Sequence, residues 1–554
     1  MQYIQSLKTK HLKIKHNYIN WLWVFWCATV INIPFKIVGS DQGDSLPWTW
    51  TTWVLWSLII FLLGLHQKKN LEKSSASTYI IIAAILLSLP ILWSPILEWR
   101  IHCIPRILGL WAGLLLLFSL KKNPLLNEMK YYFIFGLFLT ALIQSVIVIF
   151  EVFYINELPP YWKMVVTHGG YGTFSQKNVS ASMIATGLVC SCTLFINNNN
   201  RWIKSILNIS IPLIVIAILI LNSRSGWIGS SMGCIIFIIA SFYFKDHNNS
   251  FRLNLLIMLL FLGVVIGLVI NHSYLPEGLT AAHTGSNIQR WLTIRETMNL
   301  IIHNLLTGTG YGGYEYIFQK HMAAQTINLN RDLMNHPHNE ILLWWMEGGL
   351  SALLGILILV FVFVKDIMSI RNLEQVTYLA LMIPISVHAQ LEYPFYLSTF
   401  HWIAFIVFYS LFYYSVHCVE GKTVDIKKYN LQAIFIAAIA LICFFSSVVA
   451  FRNEVIMYDF ESGENTNLEN IDFPWMNYER YQWCLALNHI LKFNQSHSKQ
   501  ELLQLKKILQ SRLRVHVDKK TWILYLRVEK ELDSSELNND LSTFKKEFPY
   551  EMQI

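Results

Sequence analysis

The chain has 554 residues, 54% of them hydrophobic and only 14% charged, with a formal net charge of +8. Soluble globular proteins carry roughly 25% charged residues, so one large soluble core is excluded. The apolar blocks run for about 18–22 residues without an interior charge, enough to cross roughly 30 Å of hydrocarbon; in such a chain basic residues report orientation before any nucleic-acid partner.

Lys8, Lys10, Lys13 and Lys15 precede the first apolar run. No small-residue cleavage site follows it, so an uncleaved first helix is expected. About 13 spans are predicted from block length, near 18–36, 49–66, 78–96, 106–120, 131–151, 179–197, 205–222, 226–244, 253–271, 340–364, 376–391, 396–417 and 431–450. Alternate loops are basic: Lys68, Lys69 and Lys73; Lys121, Lys122 and Lys130; Arg201 and Lys204; Lys245 and Arg252; Lys365 and Arg371; Lys422, Lys427 and Lys428. The opposite loops offer few basic residues: Arg100, Arg106, Lys163, Lys177 and Arg224. The positive-inside rule then puts the N-terminus in the cytoplasm. It exports 152–178, 222–225, the long loop 272–339, 390–394 and the tail 451–554. The expected domains are a membrane domain over 1–450 and an outer helical domain over 451–554, where Glu501–Leu509 has helical patterning. The inverted repeats common in transporters are not visible.

The cysteines form no disulfide framework; most lie in apolar segments, where a thiol acts as a small hydrophobe. In the long loop, Ser286 with Gln289 matches a capping box. Ile288, Trp291, Leu292, Met298, Ile301, Ile302 and Leu305 form a stripe suited to a membrane surface or to the bundle, and Gly308 is the expected stop. The turn Gly308–Tyr314 lacks the Gly-Lys-Ser/Thr of a P-loop and is expected to be flexible.

Asn335-His336-Pro337-His338-Asn339-Glu340 joins this loop to an apolar helix. Proline suits a first helical turn, so the helix is expected to start near Pro337 with His338 in its first turn. There the dipole favours a neutral imidazole and attracts anions, a setting for a general base; interfacial histidines that cap loop structure fit equally. A metal reading through Asp332 or Glu340 has little support, because His272, His283, His303 and His321 are scattered.

Arg224, between two spans, either snorkels or binds a fixed anion. Arg290 and Arg295 lie about 140° apart on one helix, so they do not grip one phosphate together; Arg290 is the candidate. Gln176 and Asn178 cap a span or bind a polar ligand. Tyr393 is an interfacial aromatic or a site residue, and Glu392 is a candidate partner for an outer arginine.

Four patterns in order, Phe174-Ser175-Gln176-Lys177-Asn178, Ser223-Arg224-Ser225-Gly226, Asn287-Ile288-Gln289-Arg290-Trp291 with the Gly308–Tyr314 turn, and His336-Pro337-His338-Asn339 through Glu347-Gly348-Gly349, resemble the superfamily of bacterial O-antigen ligases, Wzy-type polymerases and protein O-oligosaccharyltransferases. The resemblance covers roughly 150–400. Gln176 with Asn178, the Glu392-Tyr393-Pro394 turn and the polar tail most resemble PglL-type O-oligosaccharyltransferases. Lys177 and Pro337 depart from that pattern, which expects Pro, and Ala or Ser.

The resemblance implies an all-α polytopic membrane protein, a GT-C-like bundle with a large periplasmic loop and a periplasmic helical C-terminal domain. It implies an enzyme of the inner membrane, with its active site facing the periplasm. That enzyme moves a preassembled glycan from an undecaprenyl-diphosphate carrier to Ser or Thr hydroxyls of a pilin-like or other periplasmic protein. It further implies catalysis by His338 and His336, and donor binding by Arg224, Arg290, Gln176, Asn178 and Tyr393, with no metal, cofactor or nucleic acid. A polymerase or an O-antigen ligase uses the same donor with another acceptor. A lipid-linked-sugar flippase is a different class; it needs polar residues through the bilayer, whereas these candidates gather at one face.

Overall fold

The structure, a computed structural model, describes residues 20–33, 47–64, 68–72, 76–158, 170–174, 176–244, 250–274, 284–325, 335–425, 431–464 and 467–548. The N-terminal lysines, Lys163, His283 and Asp332 lie outside the described residues. Each of the thirteen predicted spans falls on a helix. These are α1 (20–28), α2 (Pro47–Gly64), α3 (Ser77–Ser88), α4 (Leu97–Leu120), α5 (Leu125–Phe153), α6 (Lys177–Asn197), α7 (Arg201–Ile220), α8 (Arg224–Phe244) and α9 (Ser250–Tyr274). After α10 (Thr284–His303) and α11 (Tyr314–Ala324) come α12 (Glu340–Ile367), α13 (Leu373–Leu391), the single turn α14 (Pro394–Leu397), α15 (Thr399–His417) and α16 (Leu431–Glu461). Among the described residues, nine helices are long and apolar enough to cross a membrane, and α2 and α3 are shorter apolar helices. The chain is a polytopic, helical membrane protein.

Among the described residues helicity has one exception, a strand pair that the sequence reading missed. Two polar loops pair as an antiparallel ribbon, β1 (Lys68–Glu72) with β2 (Cys418–Asp425), in the register Lys68↔Asp425, Lys69↔Val424 and Asn70↔Thr423. Both loops belong to the basic face. Other pairs also join segments that parity puts on one face: Lys130 with Glu374 at 2.6 Å, Asn198 with Tyr131 at 3.0 Å, Arg252 with Asn199 at 3.0 Å, and His417 with Asp366 at 2.7 Å. On the opposite face Trp48 Nε1 donates to the Thr173 carbonyl at 3.3 Å.

The described chain clusters into two compact units. The first comprises 1–75, 112–282 and 364–445. Its centre is α6, whose apolar window is wholly buried. Small residues (Ser180, Ala181, Ser182, Ala185, Thr186, Gly187) line this helix and let its neighbours approach closely. A Cβ at Gly226 would lie 2.7 Å from Ala181, and one at Gly229 would lie 2.9 Å from Pro384 Cα, so α8 packs against both α6 and α13 at near-backbone distance.

The second unit comprises 76–111, 283–363 and 446–554. In it Leu300 and Ile301 of α10, Tyr314, Phe318 and Met322 of α11, and Leu343 and Met346 of α12 form one buried cluster. A second cluster is built by α17 (Tyr478–Ser496), α18 (Lys499–Leu513), α19 (Lys519–Glu531) and α20 (Leu537–Glu547) around Leu505, Leu509, Tyr525 and Phe544. Helix α16 continues eleven residues past the predicted span end at 450, to Glu461. Its polar end persists because Arg480 pairs with Glu454 and, at 2.7 Å, with Glu461.

Candidate active site

In the first unit, Gln176, Asn178, Arg224 and Tyr393 come from segments that meet around Glu392. The strand of chain leading to Gln176 is fixed first. Glu151 accepts from the Tyr171 and Gly172 amides at 2.8 and 2.7 Å, and Gln144 Oε1 accepts from the Thr173 amide at 3.0 Å. Gly172 has φ 60, and a Cβ there would strike Gln144, so glycine is required at this bend. Helix α6 then starts at Lys177 with Gln176 at its cap position but making no side-chain cap bond. Asn178 does not cap either. It accepts from Ser223 Oγ at 2.6 Å and donates through Nδ2 to Glu392 Oε1. Gln176 Nε2 donates to Glu392 Oε2 at 3.1 Å. Of the two roles expected for these amides, helix capping is not seen; both donate to one carboxylate instead.

Arg224 is placed by a sharp turn. Asn222 adopts a left-handed backbone (φ 50), which Asn tolerates better than most residues, and α8 begins at Arg224. Ser223 locks the turn, accepting from the Gly226 amide at 3.4 Å and lying 2.9 Å from Ser225 Oγ. Tyr393 is 5% exposed, so it is not a lipid-facing belt residue, and its ring packs 5.5 Å from Tyr396.

Behind Glu392 runs a buried chain that the sequence reading missed. His388 Nε2 lies 3.3 Å from Glu392 Oε2, and His388 Nδ1 lies 2.8 Å from Ser182 Oγ. Ser182 Oγ lies 2.9 Å from His401 Nε2, and His401 Nδ1 lies 2.8 Å from Ser398 Oγ. Ser182, His388, His401 and Ser398 are all fully buried. With both imidazoles neutral, every link finds one donor and one acceptor, from Ser398 through to the carboxylate. The one signal available in sequence was the His388/Glu392 spacing of four, which stacks two polar side chains on one helix face.

In the second unit, His336 and His338 do meet: their rings lie 4.4 Å apart, edge to face. His336 is 7% exposed, and its Nδ1 is 2.6 Å from Asn335 Oδ1. The expected helix start is corrected. Helix α12 begins at Glu340, and Asn339 Oδ1 caps it by accepting from the Leu342 amide at 3.0 Å. His338 precedes this cap in a left-handed conformation (φ 54), which ends any helical path from Pro337. Such strain clusters at functional positions.

Arg290 lies on α10, half-buried. That helix starts by Thr284, so Ser286 lies within it and is not its cap. Arg295 pairs with Glu296 at 2.6 Å instead of standing alone. Burial raises the Glu296 pKa, but hydrogen bonds from Asn299, His321 and Arg295 outweigh it and hold the carboxyl below its usual range. Of the predicted stripe, Ile301 is buried, while Ile288, Trp291, Ile302 and Leu305 are exposed.

The turn predicted to be flexible is locked. Gly312 and Tyr314 donate backbone N–H groups to Glu347 Oε1, each at 3.0 Å, and Thr309 and Gly310 donate to the Met346 and Glu347 carbonyls at 2.9 and 3.0 Å. Glu347 also pairs with Arg106, whose guanidinium sits 4.8 Å from the Tyr311 ring centroid and 4.6 Å from that of Trp344. Gly308 and Gly349 both have positive φ and face each other backbone to backbone. Turn, helix α12 and Arg106 thus form one braced body, and the histidine pair immediately precedes that helix.

The comparisons with known proteins cover part of these segments and leave Gln176, Asn178 and Ser182 outside. No curated protein matches the chain. Residues 376–489 match the family model described as the C-terminal part of the virulence factor membrane-bound polymerase, a stretch that holds His388, Glu392, Tyr393 and His401. Residues 209–357, which contain Arg224, Arg290, His336 and His338, match the family model of the O-antigen ligase, and the two matches together support a place for this membrane protein within the O-antigen ligase superfamily.

Proposed function

We propose that this protein transfers a preassembled glycan en bloc from an undecaprenyl-diphosphate carrier to Ser or Thr hydroxyls of periplasmic or pilin-like proteins, as the PglL-type resemblance implies. It acts from the inner membrane, with 451–554 as a periplasmic helical domain beside the membrane domain 1–450. One observation carries the reading: the stretch that matches O-antigen ligases holds a histidine, His338, whose backbone is held left-handed with its ring against His336.

In this reading His338 takes the proton from the acceptor hydroxyl as that oxygen attacks the anomeric carbon, and His336 orients or assists it. The diphosphate leaves without needing an acid, and its developing charge is met by Arg224 and Arg290, whose forked donors suit phosphate oxygens. Direct displacement inverts the anomeric centre. Gln176, Asn178 and Tyr393 position the donor. Gln176 supports this role, because its Oε1 is buried with no hydrogen-bond partner among the described residues while its Nε2 is committed to Glu392. A buried orphan acceptor beside polar neighbours suits a ligand hydroxyl.

A polymerase joining one lipid-linked glycan to another is the second reading, favoured by the match of 376–489 to a membrane-bound polymerase. Deleting the gene and examining glycoproteins, lipopolysaccharide and capsular or free polysaccharide in parallel separates the two. Loss of protein-linked glycan with unaltered lipopolysaccharide and polysaccharide is expected; shortened polysaccharide chains with intact glycoproteins select the polymerase.

A further inference from the structure

Four side chains in the second unit converge from four separate segments. His102 lies near the start of α4, Glu315 in the first turn of α11, Glu479 in the first turn of α17, and His516 in the connection between α18 and α19. Glu479 is shared: Oε1 contacts His102 Nδ1, and Oε2 lies 2.9 Å from His516 Nε2. The ligand atoms of His102, Glu479 and His516 all lie within 4.8 Å of one another. The two imidazoles stand edge to face at 5.2 Å. Behind them, His516 Nδ1 lies 2.9 Å from Glu315 Oε2, and Glu315 Oε1 accepts from the Val517 amide at 2.7 Å.

The geometry points to a divalent-cation site in which His102 Nδ1, Glu479 and His516 Nε2 are the ligands and Glu315 orients His516. A carboxylate hydrogen-bonded to the far nitrogen of a ligating imidazole is the usual support for such a ligand, since it fixes the tautomer and ring plane. Two imidazoles and one carboxylate suit zinc, with a fourth position for water. The local field already favours a cation. Two carboxylates, Glu479 and Glu315, face the His516 ring from separate elements, at 2.9 Å on either nitrogen. A metal ion binds imidazole in its neutral form, so uptake here would release protons. The site ties the start of α4 and the first turn of α11 to the C-terminal helices. It does not depend on the transferase reading.

The test uses the full-length protein in detergent, stripped with a chelator, desalted and given zinc chloride. Bound zinc is measured by mass spectrometry and stability by thermal melting. About one zinc per chain, with a rise in melting temperature, is expected for a four-coordinate site of this kind. His102→Ala and Glu479→Gln should lose both effects, and His303→Ala, an exposed histidine on α10, should keep both. Cobalt in place of zinc gives a readout on the unaltered chain: strong visible bands of a tetrahedral ion are expected. Failure of the stripped protein to take up zinc, uptake unchanged in His102→Ala and Glu479→Gln, or only the weak bands of octahedral cobalt would overturn the proposal and leave a proton-bridged ion-pair cluster.

Discussion

Asn178 donates a hydrogen bond to Glu392 across 214 positions of sequence. Gln176 donates to the other carboxylate oxygen, and His388 approaches that same oxygen from its own helix. Glu392 therefore fixes two candidate donor-binding amides by its charge. Glu392→Gln keeps the shape and removes the charge, setting an amide against two amide donors. It should destabilise the protein by on the order of 1–3 kcal/mol and lower glycan transfer at least about tenfold, the rate cost of roughly 1.4 kcal/mol. Melting curves and transfer rates of the purified variant check this; a wild-type rate would show that Glu392 does not organise the site.

The left-handed backbone at His338 separates stability from activity. A non-glycine residue pays roughly 1–2 kcal/mol for that conformation. His338→Gly should melt at or above the wild-type temperature, His338→Ala should gain no such relief, and neither should transfer glycan. Transfer by His338→Gly would remove the imidazole from the reaction.

Arg224→Lys preserves charge but not the fork. A large loss of transfer with normal membrane insertion is expected, because an ammonium cannot offer two parallel hydrogen bonds to a phosphate. Unchanged transfer would assign Arg224 to headgroup contact.

Glu347 holds Arg106 and the Gly312 and Tyr314 amides together. Glu347→Ala should cost about 3–5 kcal/mol, the penalty for stranding a buried charge. Arg106→Met should cost less, because the two amides keep their acceptor. Equal melting temperatures for the two variants would contradict the bracing role of Glu347.

The His102, Glu315, Glu479 and His516 cluster gives a pH window for the second unit in its metal-free form. His516 is raised to about 10, so its stabilisation is full below its ordinary 6.5 and is lost as pH climbs through about 10. Burial raises the Glu479 pKa, but His102 and His516 outweigh it and hold the carboxyl well below 4.5. Its contribution is present above 4.5 and is lost on acidification past that value. Melting temperature should therefore form a plateau between pH 4.5 and 6.5, fall below it, and decline above it until about pH 10; a monotonic profile across that range would disprove the linkage.

Much of the fold was legible because lipid demands long apolar runs, and each predicted span coincides with a helix. The start of α4 was missed because Arg100, His102 and Arg106 interrupt the apolar pattern, although Arg106 is paired with Glu347. The β1–β2 ribbon joins polar loops whose pairing has no hydropathy signal. At the candidate site, residue types were readable but their partners were not. Gln176 and Asn178 look like helix caps in sequence, and only the fold brings Glu392 to them. The same holds for His102 and Glu479, which lie 377 positions apart.

The most direct measurement reconstitutes the full chain in vesicles with an undecaprenyl-diphosphate-linked glycan and a serine-bearing acceptor protein, and follows glycan on the acceptor. Wild-type protein should glycosylate the acceptor with inversion at the linking sugar, while His338→Ala, equally well folded, should leave it unmodified. Glycosylation by His338→Ala at the wild-type rate would contradict the account.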